Sequence, residues 1–557
     1  MKLETFFKHF DLLAEAPNGV QKLRELILDL AVRGKLVPQD ANDEPAVVLL
    51  ERIKKEKERL VKEKIQKVRT TSKIDNSEIP FELPKNWMWV NLDSYVLIVM
   101  GQSPDSTYYN NHKKGLPFYQ GKSDFNNLYP TPRVWCEIPL KIAEENDILI
   151  SVRAPVGSTN ICQEKSCIGR GLAALRSIDN TNNFYLLYFL RAFEKKISEM
   201  GVGSTFKAIS KTNLETFKIA VPPLNEQKRI VTKVDELMKL CDELEARQKK
   251  KQETRILINN AALNKLLTAD TPETFTKNWQ RIGDNFDILY SAPENIGKLR
   301  QAILQLAVMG KLVPQDANDE PAAVLLERIK KEKERLVKEG KVKKEKSLPA
   351  IKDDEIPFDL PIGWEWVRVI DIVDIGTGST PATTNPEYYG GNIPWYTSSA
   401  TNNYIAEKPQ VFITEKALKE TNCKIFPSGS LIIALYGQGK TRGQISEIMI
   451  AGATNQAIAA MVFFESSKEL KKYIKYYFLK IYDEIRNLAE GGAQPNLNVG
   501  KIKNTLIPIP PFNEQKRIVT KVDKLMKLCD ELETKLTQTQ TEREKIINAA
   551  VKQLLTV

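Results

Sequence analysis

Two long stretches of the sequence occur twice, whereas the segments that they enclose differ. Gly34 to Ala46 (GKLVPQDANDEPA) recurs unchanged as Gly310 to Ala322. After one substitution the identity continues from Val48 to Glu63 and from Val324 to Glu339. Two near-identical frames around unlike inserts predict one symmetric scaffold that makes two different contacts.

A second repeated motif predicts a long helix in each half. Pro222 to Val231 (PPLNEQKRIV) returns as Pro510 to Val519 with Phe512 in place of Leu224. The apolar residues that follow step by 4, 3, 4 and 3, which is typical of a coiled-coil seam. The seam residues are Ile230, Val234, Leu237, Cys241 and Leu244, and in the second half Ile518, Val522, Leu525, Cys529 and Leu532.

These helices have two possible partners. They can pair with each other as an antiparallel coiled coil, which is the more economical arrangement for a duplicated chain, or pack against their own globular modules. At about 1.5 Å per residue, the helix from Ile230 to Ala262 is roughly 50 Å long. That exceeds the roughly 34 Å of one DNA turn, so such helices could set a fixed spacing.

A chain of 557 residues is too long for one core and predicts several domains. The expected fold class is α+β, with two globular mixed α/β domains related by pseudo-two-fold symmetry and separated by the long helices. The expected segments are a helical region at 1–76, a first domain at 77–222, a helical spacer at 223–350, a second domain at 351–510 and a closing coiled-coil helix at 511–557. Helical periodicity supports helices near 18–33, ending at Gly34, and 45–67, with the same pattern over 296–343.

The inserts combine short strands with a late helix. Asp147 to Val152 and Gly429 to Leu435 are β-branched or aliphatic runs between turn residues, which favours strands. Helical segments are expected near 184–199 and 466–488. Four tryptophans near the start of the inserts favour core packing over base stacking, namely Trp87, Trp89, Trp364 and Trp366.

The charge favours a polyanionic partner without proving one. The net charge is +11, and nucleic acid is the usual partner of such a chain. However, many of the cations alternate with acids, as in Lys54 to Arg59, and such runs are often solvated helix faces.

The chain has no apolar run of about 18 residues and no signal-like N-terminus, so we expect a cytoplasmic protein without a membrane partner. The scattered cysteines lack metal-ligand spacing, and Cys162 and Cys167 are expected as small buried residues.

None of the catalytic motifs that the sequence approaches is complete. Ala434 to Thr441 (ALYGQGKT) ends like a phosphate-binding loop, but Ala434 replaces the first glycine and a β-like stretch follows. Ile509 stands where the catalytic tetrapeptide of an adenine methyltransferase needs an amide or carboxylate. Asp105 and the distant Glu194 do not form a nuclease cluster. We therefore expect no catalytic residues and no metal site.

The order of short motifs in the inserts resembles the specificity (S) subunit of a Type I restriction-modification system across nearly the whole chain. Both inserts finish with Pro-Pro-x-x-Glu-Gln-Lys-Arg-Ile. The other motifs are Gly101 to Pro104, Gly115 to Phe125, Arg153 to Gly157 and Gly203 to Ile209 in the first insert, and Gly376 to Pro381, Ile393 to Trp395, Ala453 to Gln456 and Gln494 to Asn498 in the second.

The resemblance implies a non-catalytic subunit whose inserts are target recognition domains, each reading one half of a split DNA sequence. It also implies two methyltransferase subunits that bind S-adenosylmethionine and methylate adenine, and motor-nuclease subunits that use ATP for translocation and cleavage. S-adenosylmethionine, ATP and Mg²⁺ are then expected on the partner subunits, with no cofactor on this chain.

Long polar side chains in turn-rich motifs are the candidate contacts to double-stranded DNA. Phosphate contacts give affinity and base-edge contacts give sequence specificity. The alternative for any one of them is an ordinary polar loop residue. The candidates are Gln120, Lys122, Arg153, Lys207 and Lys211 in the first insert, and Thr397, Ser398, Asn402, Gln438, Lys440, Arg442, Gln494 and Asn496 in the second.

Two rival functions remain open at this point. A coiled-coil scaffold whose modules bind proteins would not need the loops rich in Gly, Lys, Arg and Asn that both inserts carry. A methyltransferase or nuclease that acts alone would require activity from the isolated chain. The sequence favours bipartite DNA recognition over both.

Overall fold

The computed structural model describes residues 10–63, 74, 79–178, 181–202, 207–345, 348–406, 409, 411–437, 440–465, 467–488 and 496–556. The chain forms two compact units, one made of Met1–Lys251 with Gln538–Val557 and the other of Gln252–Thr537. Each unit combines helices with small mixed sheets, and each of two long helices contributes residues to both units. The predicted fold class is confirmed, whereas the predicted segment boundaries stay a prediction.

The first unit opens with helices and continues into its sheets. Its first helices are α1 (Phe10–Ala14), α2 (Gly19–Val32) and α3 (Ala46–Lys62). Its strands are β1 (Met88–Asn91), β2 (Val96–Met100), β3 (Tyr109–Asn110), β4 (Leu116–Tyr119), β5 (Val134–Cys136), β6 (Ile142–Ala143), β7 (Ile148–Ser151), β8 (Thr159–Ile161), β9 (Ser166–Ile168), β10 (Leu172–Ser177) and β11 (Lys218–Val221). Its other helices are α4 (Leu92–Tyr95), α5 (Asn183–Ala192), α6 (Glu194–Glu199), α7 (Lys211–Glu215) and the long α8 (Leu224–Leu267), whose residues from Gln252 onward belong to the second unit.

The second unit follows a similar order, with an additional helix, Glu415–Glu420, among its strands. Its helices are α9 (Pro272–Asp284), α10 (Phe286–Leu289), α11 (Pro293–Val308), α12 (Ala322–Lys338), α13 (Val369–Ile372), α14 (Glu415–Glu420), α15 (Lys468–Lys480), α16 (Tyr482–Asn487), α17 (Val499–Asn504) and the long α18 (Phe512–Thr556), whose residues from Gln538 onward belong to the first unit. Its strands are β12 (Glu365–Arg368), β13 (Val373–Thr377), β14 (Tyr389–Tyr396), β15 (Ile405–Ala406), β16 (Val411–Ile413), β17 (Ile425–Phe426), β18 (Leu431–Ala434), β19 (Ile445–Ile448), β20 (Gly452–Thr454), β21 (Ile458–Phe463) and β22 (Leu506–Ile509).

The sheets of the two units have related topologies. In the first unit they are β1-β11, β2-β10-β7-β8 and β3-β5-β4-β9-β6. In the second they are β12-β22, β13-β21-β18-β19-β15 and β16-β14-β20-β17. Each unit contains one comparable parallel pair, Phe118 opposite Cys167 and Trp395 opposite Ala453. The central strands β7 and β18 are buried along their whole length, as their aliphatic runs predict.

A glycine ends the first frame helix of each half, as predicted. Gly34 and Gly310 both have a φ of 68°, in the left-handed region that favours glycine. A side chain at either position would also collide with a proline near the start of the recognition domain of the same half. A Cβ at Gly34 would lie 2.5 Å from Cγ of Pro84, and one at Gly310 would lie 2.5 Å from Cγ of Pro361. The turn therefore fixes how the frame joins the recognition domain.

In the first unit, both long helices pack along α2, and ion pairs give their directions. From the N-terminal to the C-terminal end of α2, the residue numbers of its partners in α8 decrease, whereas those of its partners in α18 increase. The two long helices are therefore antiparallel within this unit. The contacts, in chain order from just before α2 to just after it, are Glu15 with Lys251 and Arg543, Lys22 with Glu544, Arg24 with Asp242 and Glu245, and Lys35 with the carbonyl oxygen of Leu555.

The second unit has the same arrangement around α11. Here α8 runs parallel to α11 and α18 runs antiparallel to it. The contacts are Glu294 with Gln252, Lys298 with Asn260, and Lys311 with the carbonyl oxygen of Leu267, followed by Arg300 with Asp530 and Glu533, and Asp319 with Arg517.

The first predicted seam is buried and the second is partly buried, each in the unit in which its helix begins. Ile230 to Leu244 share a core cluster with Leu23, Leu26 and Ile27 of α2 and with Ile547 and Leu554 of α18. Ile518, Val522 and Cys529 are buried in the core of the second unit, and Leu525 and Leu532 pack against it. Each seam thus shares an apolar core with its own unit and with a segment of the other long helix, which is α18 (Ile547 and Leu554) in the first unit and α8 (Leu263 and Leu266) in the second. The packing combines features of both expected arrangements.

A buried glutamate at the start of each long helix joins the frame to the recognition domain. Glu226 accepts hydrogen bonds from Nε1 of Trp87 (2.9 Å) and Nε2 of Gln39 (2.6 Å). Glu514 accepts the matching bonds from Trp364 (2.9 Å) and Gln315 (2.7 Å). Burial raises the pKa of both carboxyl groups, and these hydrogen bonds oppose the rise.

Several further predictions about the core are confirmed. Trp87 and Trp364 are buried, and Trp89 and Trp366 are partly buried against Phe81 and Phe358. Cys162 and Cys167 are buried free thiols. Of the described helices, none is long and apolar enough to cross a membrane.

Candidate nucleic-acid interface

Three of the predicted contact residues converge on one cavity in the first recognition domain. Gln120, Lys122 and Arg153 lie at its rim although up to 33 residues separate them in sequence. The cavity has a volume of about 210 Å³. It is lined by Ser103, Gln120, Gly121, Lys122, Ser151, Arg153, Ala154, Arg170 and Gly171. The described lining contains three cationic side chains and no carboxylate.

The position of Gln120 and Lys122 follows from the end of β4 and a buried aspartate. Asp124 accepts hydrogen bonds from the backbone N–H groups of Gln120 (2.7 Å) and Gly121 (3.3 Å). Its other oxygen pairs with Arg133 at 2.6 Å. Lys122 opens the short helical turn Lys122–Asp124 and is exposed. The carboxylate therefore fixes the loop while the long side chains face solvent.

Arg153 follows β7 and is held from two sides. The N–H of Val152 donates to the carbonyl oxygen of Gly171 (2.9 Å), and the carbonyl oxygen of Val152 accepts from the N–H of Ile209 (3.0 Å). The N–H of Ala154 donates to the carbonyl oxygen of Lys207 (3.0 Å). The structure thus brings the Lys207 segment beside Arg153.

Lys211 lies apart from this group. It is the first residue of α7 and pairs with Glu215 of the same helix at 3.3 Å. It does not line the cavity. Its proposed contact with DNA stays a prediction.

Sequence reasoning missed Arg170 and Ser103. The N–H of Arg170 donates to Oγ of Ser103 at 3.2 Å, and both residues line the cavity. A Cβ at Gly171 would lie 2.1 Å from the carbonyl oxygen of Gln120, so only glycine allows this close approach. The available signal was Gly169-Arg170-Gly171, a cation between two glycines.

The cavity is electropositive. Lys122, Arg153 and Arg170 are all exposed. Among the described residues, their side chains make no hydrogen bond or ion pair. Free guanidinium and ammonium groups on a rigid rim suit phosphate oxygens and the acceptor edges of bases.

In the second domain, a hydrogen bond joins two of the predicted segments. Thr397 precedes the short helical turn Ser398–Asn402, which begins at predicted Ser398. Oδ1 of Asn402 accepts a hydrogen bond from Oγ1 of Thr441 at 3.3 Å. Thr441 lies between Lys440 and Arg442, so these predicted residues share one surface region.

The α16 helix holds the segment that contains Lys440 and Arg442. The carbonyl oxygen of Arg442 accepts a hydrogen bond from Arg486 at 2.8 Å, and that of Lys440 accepts one from the hydroxyl of Tyr482. A strand, β19, follows this segment, which agrees with the β-like stretch predicted there and not with a nucleotide-binding helix. Gln438 and Gln494 lie outside the described residues.

Matching backbone hydrogen bonds show which positions of the two domains correspond. In each bond a backbone N–H group donates to a backbone carbonyl oxygen. In the first domain, Gly169 donates to Tyr119, Val152 to Gly171 and Ile209 to Val152. In the second domain, the matching bonds run from Asn455 to Tyr396, from Leu435 to Ala457 and from Leu497 to Leu435. Gln120 therefore corresponds to Thr397, Arg153 to Tyr436, Arg170 to Gln456, and Ala208 to Asn496. The second domain carries uncharged side chains at these four positions.

Comparisons with known proteins agree with this duplicated organisation. The model of the Type I restriction modification DNA specificity domain matches residues 84–254 and again residues 361–540. The EcoAI specificity subunit of a Type I restriction enzyme from Escherichia coli is 34% identical, over 92% of this chain and 90% of its own length. The EcoEI specificity subunit, also from Escherichia coli, is 32% identical over 95% and 93%.

Solved structures of S subunits also match parts or most of the chain. An HsdS subunit from Thermoanaerobacter tengcongensis is 37% identical over 44% of this chain and 50% of its own, with a TM-score of 0.31. An S subunit from M. genitalium is 13% identical over 85% and 98%, with a TM-score of 0.29. From the family match in both halves and the full-length relatives, the chain belongs to the Type I restriction enzyme specificity subunits.

Proposed function

We propose that this chain is the non-catalytic DNA-reading subunit of a Type I restriction-modification complex. Each recognition domain contacts one half of a bipartite double-stranded target. The observation that carries the proposal is the cavity of the first domain, where Lys122, Arg153 and Arg170 stand free on a fixed backbone. The second domain presents different side chains on a matching backbone, as the reading of a different half-site requires.

The chemistry of such a complex would reside on its partners. Two methyltransferase subunits would bind S-adenosylmethionine and methylate adenine, and motor-nuclease subunits would use ATP and Mg²⁺. The repeated frame supports this arrangement, because two copies of one surface can bind two copies of one partner. This chain would then supply DNA recognition and docking, but no reacting group.

An exchange of one recognition domain tests the proposal. We expect replacement of residues 351–510 by the corresponding module of another specificity subunit to change one half of the methylated sequence and to leave the other half unchanged. Mapping of methylated adenines in a host that carries the chain with its partner subunits measures this. Unchanged methylation at both halves would reject the proposal.

A second outcome would favour the scaffold alternative. If the wild-type complex binds DNA weakly and without sequence preference, the domains serve protein contacts. The matched control is replacement of 351–510 by its own synonymous coding sequence, which must leave both half-sites unchanged.

A further inference from the structure

Arg170 and Gln456 occupy the same backbone position in the two recognition domains. Each follows the parallel strand of its domain, β9 or β20. The residue before each donates its N–H to the carbonyl oxygen at the end of the neighbouring strand, Gly169 to Tyr119 (2.8 Å) and Asn455 to Tyr396 (3.0 Å). The two side chains therefore leave equivalent points of the fold.

A hydroxyl group supports this position in both domains. In the first domain, Oγ of Ser103 accepts from the backbone N–H of Arg170. In the second, Oγ1 of Thr380 donates to Oε1 of Gln456. A glycine two residues before each hydroxyl allows its segment to lie against the parallel strand. A Cβ at Gly101 would lie 2.2 Å from the carbonyl oxygen of Gly169, and a Cβ at Gly378 would lie 1.6 Å from the carbonyl oxygen of Thr454.

Both side chains remain available to a ligand. Arg170 and Gln456 are exposed. The amide nitrogen of Gln456 makes no hydrogen bond within the described part of the chain, and its Oε1 can accept a second hydrogen bond besides that from Thr380. Gln456 can thus still donate and accept at the same time, whereas Arg170 can only donate.

The difference in charge argues for base contact at this position. A phosphate-binding position needs a donor of any type and gains most from a cation, so a shared phosphate contact would favour charge in both domains. Instead the position carries Arg in one domain and Gln in the other. These are the side chains that make paired hydrogen bonds to the major-groove edges of guanine and adenine, respectively.

We propose that this position selects a base in each half-site, guanine through Arg170 and adenine through Gln456. The inference rests on the proposed function and deepens it, because it names the base that each domain recognises at one point. It also predicts that the two preferences can be exchanged by single substitutions.

The test is a reciprocal exchange, Arg170→Gln and Gln456→Arg, in the full-length chain assembled with its partner subunits. Sequences selected from a randomised pool of double-stranded DNA at fixed salt are compared with those of the wild type. We expect Arg170→Gln to move one position of one half-site from guanine to adenine, with a change in preference of about 10- to 100-fold. We expect Gln456→Arg to move one position of the other half-site from adenine to guanine.

The contrary outcomes are distinct. Uniformly weaker binding of all sequences by Arg170→Gln, with a lower salt dependence, would identify a phosphate contact and overturn the inference. Unchanged base preferences in both variants would also overturn it while leaving bipartite recognition intact. If the wild type selects no bipartite sequence, the proposed function itself fails.

Lys114→Gln is the matched control for the loss of one positive charge. Lys114 lies in the same domain outside the cavity and pairs with Glu137 at 2.8 Å. Its substitution should leave every base preference unchanged. A base-specific change in this control would overturn the assignment to Arg170.

Discussion

The two halves of the molecule use the same residues in the frame and different residues at the recognition surface. Glu226 and Glu514 each accept hydrogen bonds from a tryptophan and a glutamine at nearly the same distances. At the surface, Arg153 and Arg170 correspond instead to Tyr436 and Gln456. Buried polar groups tolerate little change, because a lost partner leaves an unsatisfied donor or charge, whereas surface positions carry no such penalty. The difference separates the frame, which stabilises each unit, from the recognition surfaces, which would select the DNA sequence.

The frame glutamate should produce the largest loss when it is removed. We expect Glu226→Ala to lower the unfolding free energy of the first unit by about 4 kcal/mol, because Trp87 and Gln39 both lose their acceptor in a buried site. Hydrogen exchange of α2 amides measures the effect, and Glu514→Ala should act likewise on α11.

Exposed Glu236, which pairs with Lys233, is the control for this prediction. Its substitution by Ala should change the unfolding free energy by less than about 0.5 kcal/mol. Equal effects of Glu226→Ala and Glu236→Ala would show that the frame network does not stabilise the unit.

The C-terminal parts of the long helices differ at one corresponding buried position, Asn259 or Ile547, which lies 29 residues after the first seam residue, Ile230 or Ile518. Ile547 of α18 lies in the apolar core of the first unit. Asn259 of α8 is equally buried, and neither polar atom of its side chain finds a partner among the described residues. We expect Ile547→Asn to lower the unfolding free energy of the first unit by about 3 kcal/mol, because it removes a packed side chain and buries an amide.

The reciprocal variant sharpens this comparison. Asn259→Ile should change the unfolding free energy of the second unit by less than about 1 kcal/mol, because the gain from removing an unsatisfied amide is opposed by altered packing. Hydrogen exchange of the backbone amides in α2 and in α11 measures the stability of the first and the second unit separately. A large loss in Asn259→Ile would show that the amide has a structural partner.

A buried lysine distinguishes the recognition domains by their response to pH. Lys475 of α15 corresponds to Leu187 of α5, because the neighbouring Tyr473 and Tyr185 make matching bonds to the carbonyl oxygens of Pro508 and Ala220. Burial lowers the pKa of Lys475 to about 8, from an ordinary value of 10.5, against the opposing charge of Glu447.

The sign of the effect follows from proton binding. Between pH 8 and 10.5 the unfolded chain holds a proton on Lys475 that the folded chain has lost, so the unfolding free energy rises with pH. Lys475→Leu should remove this rise, and the variant's stability relative to the wild type should fall by about 2–3 kcal/mol across the window. Denaturant titrations at several pH values measure it, and parallel curves would contradict the lowered pKa.

Periodic patterns allowed the buried parts of the frame to be predicted. The 4, 3, 4, 3 spacing identified the seam from Ile230 to Leu244, and all five of its residues are buried. Gly34 was predicted to end its helix and has the left-handed backbone that requires glycine. Both features are local, because helix geometry places residues three and four apart on one face.

The duplicated frame, the helices and the location of the recognition segments between the repeats could all be predicted from the order of residues along the chain. Which residues of these segments share a surface depends on how the strands pair in the folded protein. Arg170 lies 50 residues from Gln120, and the parallel pairing of β4 with β9 brings them together. Such strand pairing depends on contacts between distant segments, and no local periodicity encodes it. For the same reason, the correspondence of Arg170 with Gln456 became visible only through the backbone hydrogen bonds.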